Sequence, residues 1–360
     1  MLRMIAIAAA LLAAASSGAG HAAGGASAPA VDPTVRAAAA SPRSAHGVML
    51  ALARAGSRVA AAGERGIVLW SDDDGKSWQQ AKVPVSVTLT ALAFVDDRQG
   101  WAVGHGGVVL ATSDAGQTWH RQLEGRGIAQ LEFEAARTSA DAARIAQAER
   151  LVADGADKPL LAVHFWDARR GFAVGAYGLA VATEDGGATW HSWMGRIENP
   201  KRLHLNAIHA VGQSVFLAGE QGLLLRSTDG AAGFQALPSP YRGSWFAIAG
   251  QGDRVVVAGL RGNVYWSADG GRQWQASQVP VPISLAQVTV TQSGTFLFVN
   301  QAGQLLRSTD GGRSLQPVRR PPGPPVTVVA ESGSGALLAA TFAGVHRLPP
   351  LGAATGGPRP

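Results

Sequence analysis

Thr112-Ser113-Asp114-Ala115-Gly116-Gln117-Thr118-Trp119 decides how this chain is read, because its pattern returns. Ser71-Asp72-Asp73-Asp74-Gly75-Lys76-Ser77-Trp78 and Thr183-Glu184-Asp185-Gly186-Gly187-Ala188-Thr189-Trp190 fit the same frame, Ser/Thr-x-Asp-x-Gly-x-Ser/Thr-Trp. Three further copies are looser. Ser227 to Phe234 lacks the central Gly and the second hydroxyl, Ser267 to Trp274 has Gln273 at that hydroxyl, and Ser308 to Leu315 loses the aromatic. The copies start at 71, 112, 183, 227, 267 and 308. The one long gap equals a repeat of about 40 residues plus an insertion of about 30.

Each copy sits in the same surroundings. A strand such as Leu89 to Phe94 precedes a polar turn, then Trp101-Ala102-Val103-Gly104, a two-residue link, Gly107 to Thr112, the Asp turn, and a fourth strand opened by Trp119. Short runs rich in Val, Leu and Phe between Gly and Asp are strand signals. Four antiparallel strands, A to D, make one blade, and blades stacked in a circle leave only short protected edges. Val326 to Ala330, Leu337 to Thr341 and Val345 to Leu348 give a last unit with three strands. The expected fold is therefore all-β, a seven-bladed β-propeller of four-stranded antiparallel blades, with six or eight blades as the alternatives.

The insertion, residues 124–158, falls between blades 2 and 3. Ser139 to Asp154 reads as one helix, with Ser139 as N-cap, a narrow stripe of Ile145, Ala148 and Val152, and Gly155 as its stop. It is available as a lid over the central opening, as a docking helix, or as a solvated decoration.

The ends and the composition bound the remainder. Residues 1–23 read as a secretory signal, with Arg3 followed by the apolar run Met4 to Ala15. Residues 24–47 are rich in Ala, Ser and Pro and read as flexible, with a part able to serve as a ring-closing strand. The propeller spans 48–348 and the tail 349–360 reads as disordered. The chain is expected to be exported, periplasmic or extracellular, with no later stretch long enough to span a membrane. It contains no cysteine, so neither a lipid-bearing cysteine nor a disulfide enters the reading. A formal charge of +6 permits an acidic partner and does not by itself point to nucleic acid.

The Asp turns have a local chemistry. Asp73, Asp114, Asp185, Asp229, Asp269 and Asp310 can accept backbone N–H bonds within the turn, and the hydroxyls can tie it to its own backbone. Trp78, Trp119, Trp190 and Trp274 are expected to pack under the neighbouring hairpin. Calcium loops and paired catalytic acids are the alternatives. Only Asp72-Asp73-Asp74 is acidic enough for calcium, so no metal and no cofactor is assigned.

At this point the repeats resemble the BNR or Asp-box type. The fuller unit, Phe-x-Asp-x-x-x-Gly-Trp-Ala-Val-Gly-x-x-Gly before the Asp turn, is carried by Phe94 to Gly107 and by Phe165 to Gly178, with Phe172 replacing Trp. It resembles the photosystem II assembly and stability factor family over roughly Gly47 to Leu348. The resemblance implies a seven-bladed propeller that binds membrane-protein subunits during assembly, partly through an arginine-rich patch. Similar proteins occur in bacteria that have no photosystem.

Blade topology sorts the loops. The A–B and C–D hairpins lie at one end, the B–C hairpins and D-to-A links at the other. The second rim is expected to gather Arg65, Lys82, Arg121, Arg126, Arg196, Lys201, Arg202, Arg242, Arg261, Arg319 and Arg320 against Glu64, Glu124, Glu198 and Glu220. Such a basic face attracts an acidic segment and raises its on-rate. Arg65, His105, Tyr177, Arg196, Arg202, Tyr241, Arg242 and Arg261 form the candidate partner-binding set. Solvated loop charges are the plain alternative, as is a capping role between blades for Tyr241 and Trp245.

The function expected is a non-catalytic scaffold that holds a protein partner, either a membrane-protein complex or an acidic segment. A binder of anionic ligand or glycan, and an Asp-box glycoside hydrolase of sialidase type, are the other classes. The hydrolase would need two carboxyl groups across a bond, and Glu64 and Glu220 are the only acids in the Gly-x-x-Gly turns.

Overall fold

The computed structural model describes residues 31–231 and 233–349; residues 1–30, the expected signal segment among them, and the stretch beyond Pro349 lie outside that range. From Asp32 the chain forms one compact unit of seven antiparallel sheets, six with four strands and the last with three. Each sheet runs A-B-C-D in chain order. Blade 2, for example, comprises Leu89–Phe94, Gly100–Gly104, Val109–Thr112 and His120–Leu123. The apolar residues collect in seven clusters, one per junction between neighbouring blades. Strands B and C are buried almost throughout, which is why they read as continuous apolar runs.

The motif residues have individual reasons. A Cβ on Gly100 would lie 2.5 Å from the Phe94 ring, and one on Gly171 would lie 2.3 Å from the Phe165 ring. The Phe-to-Gly spacing thus lets the ring cover the start of strand B. Trp101 then stacks on Phe165 of the next blade, with centroids 3.5 Å apart and planes 6° from parallel. The Trp of one repeat and the Phe of the following one thereby bind two blades together.

Strand A carries a bulge near its start in every blade, at Leu50, Thr90, Leu161, Asn206, Phe246, Ala286 and Thr327. Polar residues there reach across the junction. Thr90 Oγ1 donates to Leu160 O (2.7 Å), and Asn206 Nδ2 donates to Trp245 O (2.8 Å). Thr327 Oγ1 donates to Met49 O (2.5 Å), joining blade 7 to blade 1.

Two sequence expectations need correction. Residues 32–47 contribute no strand to blade 7. Ser44–His46 form a 3-10 turn beside the last strand, where Gly344 N donates to Gly47 O (2.9 Å). The upstream part is not free, because Ser86 N donates to Pro33 O, Ala38 N to Val83 O, and Gln80 Nε2 to Ala39 O. It follows the link between blades 1 and 2.

The insertion contains two helices, not one: α1 (Gly125–Thr138) and α2 (Ala142–Asp154). Glu124 caps α1 and Asp141 caps α2, while Ser139 lies past the end of α1 with its amide on Ala136 O. The α1 pattern is masked in sequence because Glu132 occupies its buried face. Nor is the insertion a lid. Ile128, Ala129 and Leu151 pack with Leu179, Val181 and Trp190, and α1 lies against the outer strand His191–Ser192 of blade 3.

Candidate partner-binding rim

Five B–C hairpins share one backbone form, a single 3-10 turn whose middle residue is left-handed. That residue is Arg65 (φ 53°), Gly106 (67°), Tyr177 (56°), Gln221 (52°) and Arg261 (58°) in blades 1 to 5. Four of the five are not glycine, although a side chain in this region costs roughly 1 kcal/mol or more. The turn projects the middle residue outward, and Arg65, Tyr177, Gln221 and Arg261 are all exposed. The αL residue was not legible as a shared position, because Arg, Gly, Tyr and Gln all occupy it.

Charges on this rim are unequally committed. Glu64 Oε1 accepts from Val48 N (3.0 Å), and Glu220 Oε2 from His204 N (2.9 Å). Glu124 accepts from the amides of Arg126 and Gly127, while Glu198, carried outward in the same link as Arg196, accepts from the amide of Ala236 on the outer strand of blade 4. Arg65, Arg242 and Arg261 are exposed, and none of them forms an ion pair among the described residues. The acids therefore build the loops while these three guanidiniums face solvent.

The remaining candidates divide. Tyr177 stays half exposed, but its ring is held between the His204 ring (4.9 Å) and Lys158 Nζ (5.1 Å). Lys158 is itself buried between Asp154 and Asp157. His105 is exposed, beside a hairpin that is covered: a Cβ on Gly106 would meet Thr34 at 2.7 Å, and one on Gly107 would meet Gly125 at 2.7 Å. Tyr241 is not presented. It packs edge-on against Trp245 (5.4 Å), which is fully buried and donates Nε1–H to Ser239 Oγ.

Arg202 turns inward, where its Nη2 lies 3.5 Å from Glu132 Oε1. Burial lowers its pKa, with the Arg144 charge acting in the same sense and Glu132 opposing both. Arg196 and Lys82 leave the rim altogether. Phe234 N donates to Arg196 O, and Lys82 pairs with Thr118, so both links meet the Asp turn of the next blade on the circumference.

Phe342 was missed in sequence. It is 52% exposed in the B–C hairpin of blade 7, between Leu337–Thr341 and Gly344–Arg347. Its repeat lacks the Asp turn, which left the hairpin without a marker.

On the opposite rim the Asp turns consume their own carboxylates. In the first, Ser71 Oγ donates to Asp73 Oδ1 (2.8 Å), Ser77 N to Oδ1 (2.9 Å) and Ser77 Oγ to Oδ2 (2.6 Å). Asp114, Asp185 and Asp310 repeat this set; Asp269 keeps the first two bonds, and Asp229 accepts from Ser227 Oγ. These bonds hold Asp73 and Asp185 well below the usual carboxylate range and Asp310 at about 2. Trp119 and Trp190 are buried, and Trp78 and Trp274 partly so. Among the described residues no group of three or more His, Asp or Glu is placed to hold a metal ion, and no helix is long and apolar enough to cross a membrane.

The family model described as photosynthesis system II assembly factor YCF48 matches residues 71–146 and 142–323. The chain belongs to this family. A curated YCF48 relative, the photosystem II assembly lipoprotein Ycf48 of Synechococcus sp. (strain CC9902), is 28% identical over 163 residues, 44% of this chain and 49% of that protein. The chain thus spans about half the length of the curated relative it matches. The solved YCF48 from Cyanidioschyzon merolae has the same fold, with a TM-score of 0.61 over 85% of this chain and 97% of that one, at 14% identity. A solved chain described as YCF48 bound to D1 peptide aligns with 50% of this chain and 59% of that one, at 21% identity and a TM-score of 0.44.

Proposed function

We propose that this propeller is a non-catalytic, exported scaffold that holds a protein partner, assisting assembly or stability of an envelope membrane complex through its B–C hairpin rim. The observation that carries the reading is the unequal commitment of charge. On the rim Glu64, Glu124 and Glu220 are bonded to backbone amides, whereas among the described residues Arg65, Arg242 and Arg261 are exposed without an ion pair. Family membership supports the assembly role. Left-handed Arg65, Tyr177 and Arg261 support it further, since strained backbone that presents a side chain is a mark of functional positions. Tyr177 and Phe342 add exposed aromatic surface of the kind that anchors interfaces. Export rests on the apolar run Met4 to Ala15, outside the described residues.

The test is crosslinking with mass spectrometry in envelope extracts, comparing the native chain with an Arg65→Glu plus Arg261→Glu variant. Partner recovery falls about tenfold or more in the variant and falls with salt in the native chain. Recovery that ignores both the charge reversal and salt overturns the basic-rim reading. Turnover of a fluorogenic glycoside that is lost in Glu64→Gln or Glu220→Gln would overturn the non-catalytic reading.

A further inference from the structure

We propose that the outer edge of blade 7 docks an extended acidic segment of a partner protein, which adds the fourth strand that this blade lacks. The site is separate from the hairpin rim and does not rest on the scaffold reading.

The repeat itself defines what is missing. In blade 7 Arg347 lies opposite Leu338 and Val345 opposite Ala340. Arg307 and Leu305 hold the same places in blade 6, opposite Leu297 and Val299. There an outer strand completes the sheet: Arg307 pairs with Gln316, and Leu305 O accepts from Val318 N (2.8 Å). The other four-stranded blades repeat the first pairing, as at Arg226 with Gln235. At Val345 and Arg347 no strand lies on the outer side among the described residues. Only the start of the strand is taken, where Gly344 N donates to Gly47 O (2.9 Å). A row of unpaired N–H and C=O groups is a template for one more strand.

Charge selects the occupant. Arg43 and His46 belong to the turn that lies beside this strand, and His346 and Arg347 to the strand itself; all four are exposed. Neither arginine has an ion pair among the described residues. Asp74 already accepts from Ser334 Oγ (2.7 Å). Basic side chains keep an edge from pairing with its own kind, so a second copy of this chain would set Arg347 and His346 against theirs. A strand with Asp or Glu opposite Arg347 gains a cross-strand ion pair instead. The exposed Phe342, in the hairpin that opens the strand, offers apolar contact to the same segment.

The stretches of this chain outside the described residues do not supply that chemistry. Each outer strand begins eight positions after strand C ends, as Gln316 follows Ser308. Leu348, whose amide donates to Leu337 O, holds the place of Ser308. At the same spacing Gly356 and Gly357 fall at the paired places, and Pro358, which has no N–H, falls at the place of the Val318 donor. Neither residues 1–30 nor residues 350–360 contain Asp or Glu.

The test is fluorescence anisotropy on the full chain with two labelled heptapeptides, Asp-Ser-Trp-Glu-Val-Val-Glu and its counterpart Lys-Ser-Trp-Lys-Val-Val-Lys. The acidic peptide binds with a Kd of about 100 μM or tighter, and the lysine peptide binds about tenfold or more weakly. Arg347→Glu abolishes that preference. N-methylation of the acidic peptide at its valines, which leaves the protein untouched, weakens binding about tenfold. The Arg65→Glu plus Arg261→Glu variant binds the acidic peptide unchanged, so failure here and failure at the rim are told apart. Deletion of residues 350–360 also leaves the affinity unchanged. Absence of binding by the acidic peptide, equal binding of both peptides, or binding that survives both Arg347→Glu and N-methylation overturns the proposal. Binding that appears only after the deletion gives the edge to the chain's own residues 350–360 and overturns it as well.

Discussion

Ala115 and Asp74 hold left-handed backbone, with φ of 61° and 56°. The same place in later Asp turns is Gly186, Gly230, Gly270 or Gly311. A Cβ there is strained and glycine is not. Ala115→Gly is therefore expected to raise stability by about 1 kcal/mol, read as a higher urea midpoint at unchanged slope; a lower midpoint would show that the methyl group's packing outweighs the strain. The Asp turns themselves were legible, because hydroxyl, carboxylate and glycine at fixed offsets describe a self-bonded loop. The rim side chains were legible only as charge. Arg65 and Arg261 stand in B–C hairpins and Arg242 in the link between blades 4 and 5, but nothing local marked Arg202 as the residue that turns inward to Glu132.

Glu132 dominates the next scale up. It ties α1 to α2 through Arg144, to blade 3 through Ser192, and to the link between blades 3 and 4 through Arg202. Removing a buried carboxylate leaves two guanidiniums without their counter-charge, at a cost of about 3–5 kcal/mol. Glu132→Gln is expected to release the insertion first. Hydrogen exchange over residues 125–154 should rise while exchange in blades 5 to 7 stays as it was. Uniform loosening of the ring would argue instead that insertion and propeller unfold as one unit. This carboxylate also explains why α1 escaped sequence reading. A charged residue on the buried face breaks the apolar period that marks a helix, and Gly125 and Gly127 open it with poor helix formers. Strands B and C posed no such difficulty, since nearly all of their residues are apolar and buried.

At the scale of the ring, the two junctions that flank blade 4 carry a pH dependence. His164 faces the cluster shared with blade 3, beside Phe172, and His209 the cluster shared with blade 5, beside Phe216. His164 and His209 occupy the fifth position of strand A in those blades, opposite Phe172 and Phe216. Neither Nε2 has a hydrogen-bond partner among the described residues. Burial pushes both imidazoles down from 6.5 to about 4, and His209 is lowered further by its neighbour His164. The unfolded chain therefore takes up protons first as pH falls, so stability is intact above about pH 6.5 and erodes towards pH 4. The Asp turns act in a different window, because their stabilisation is present above the ordinary carboxylate range and is lost only below it. A His164→Asn plus His209→Asn variant should show a flatter Tm between pH 6.5 and 4 than the native chain. Equal slopes would place the acid sensitivity elsewhere.

Six of the seven blade junctions are spanned by continuous chain, as strand D of one sheet leads into strand A of the next. Among the described residues the seventh is held by side chains and hydrogen bonds alone, including Thr327 to Met49 and Ser334 to Asp74. Its buried cluster is also the smallest: Met49, Ala61, Leu69 and Ala340. Under load, or on the way to unfolding, the disc has one clasp that parts without stretching any covalent strap, and the blades on either side of it are the first and the last.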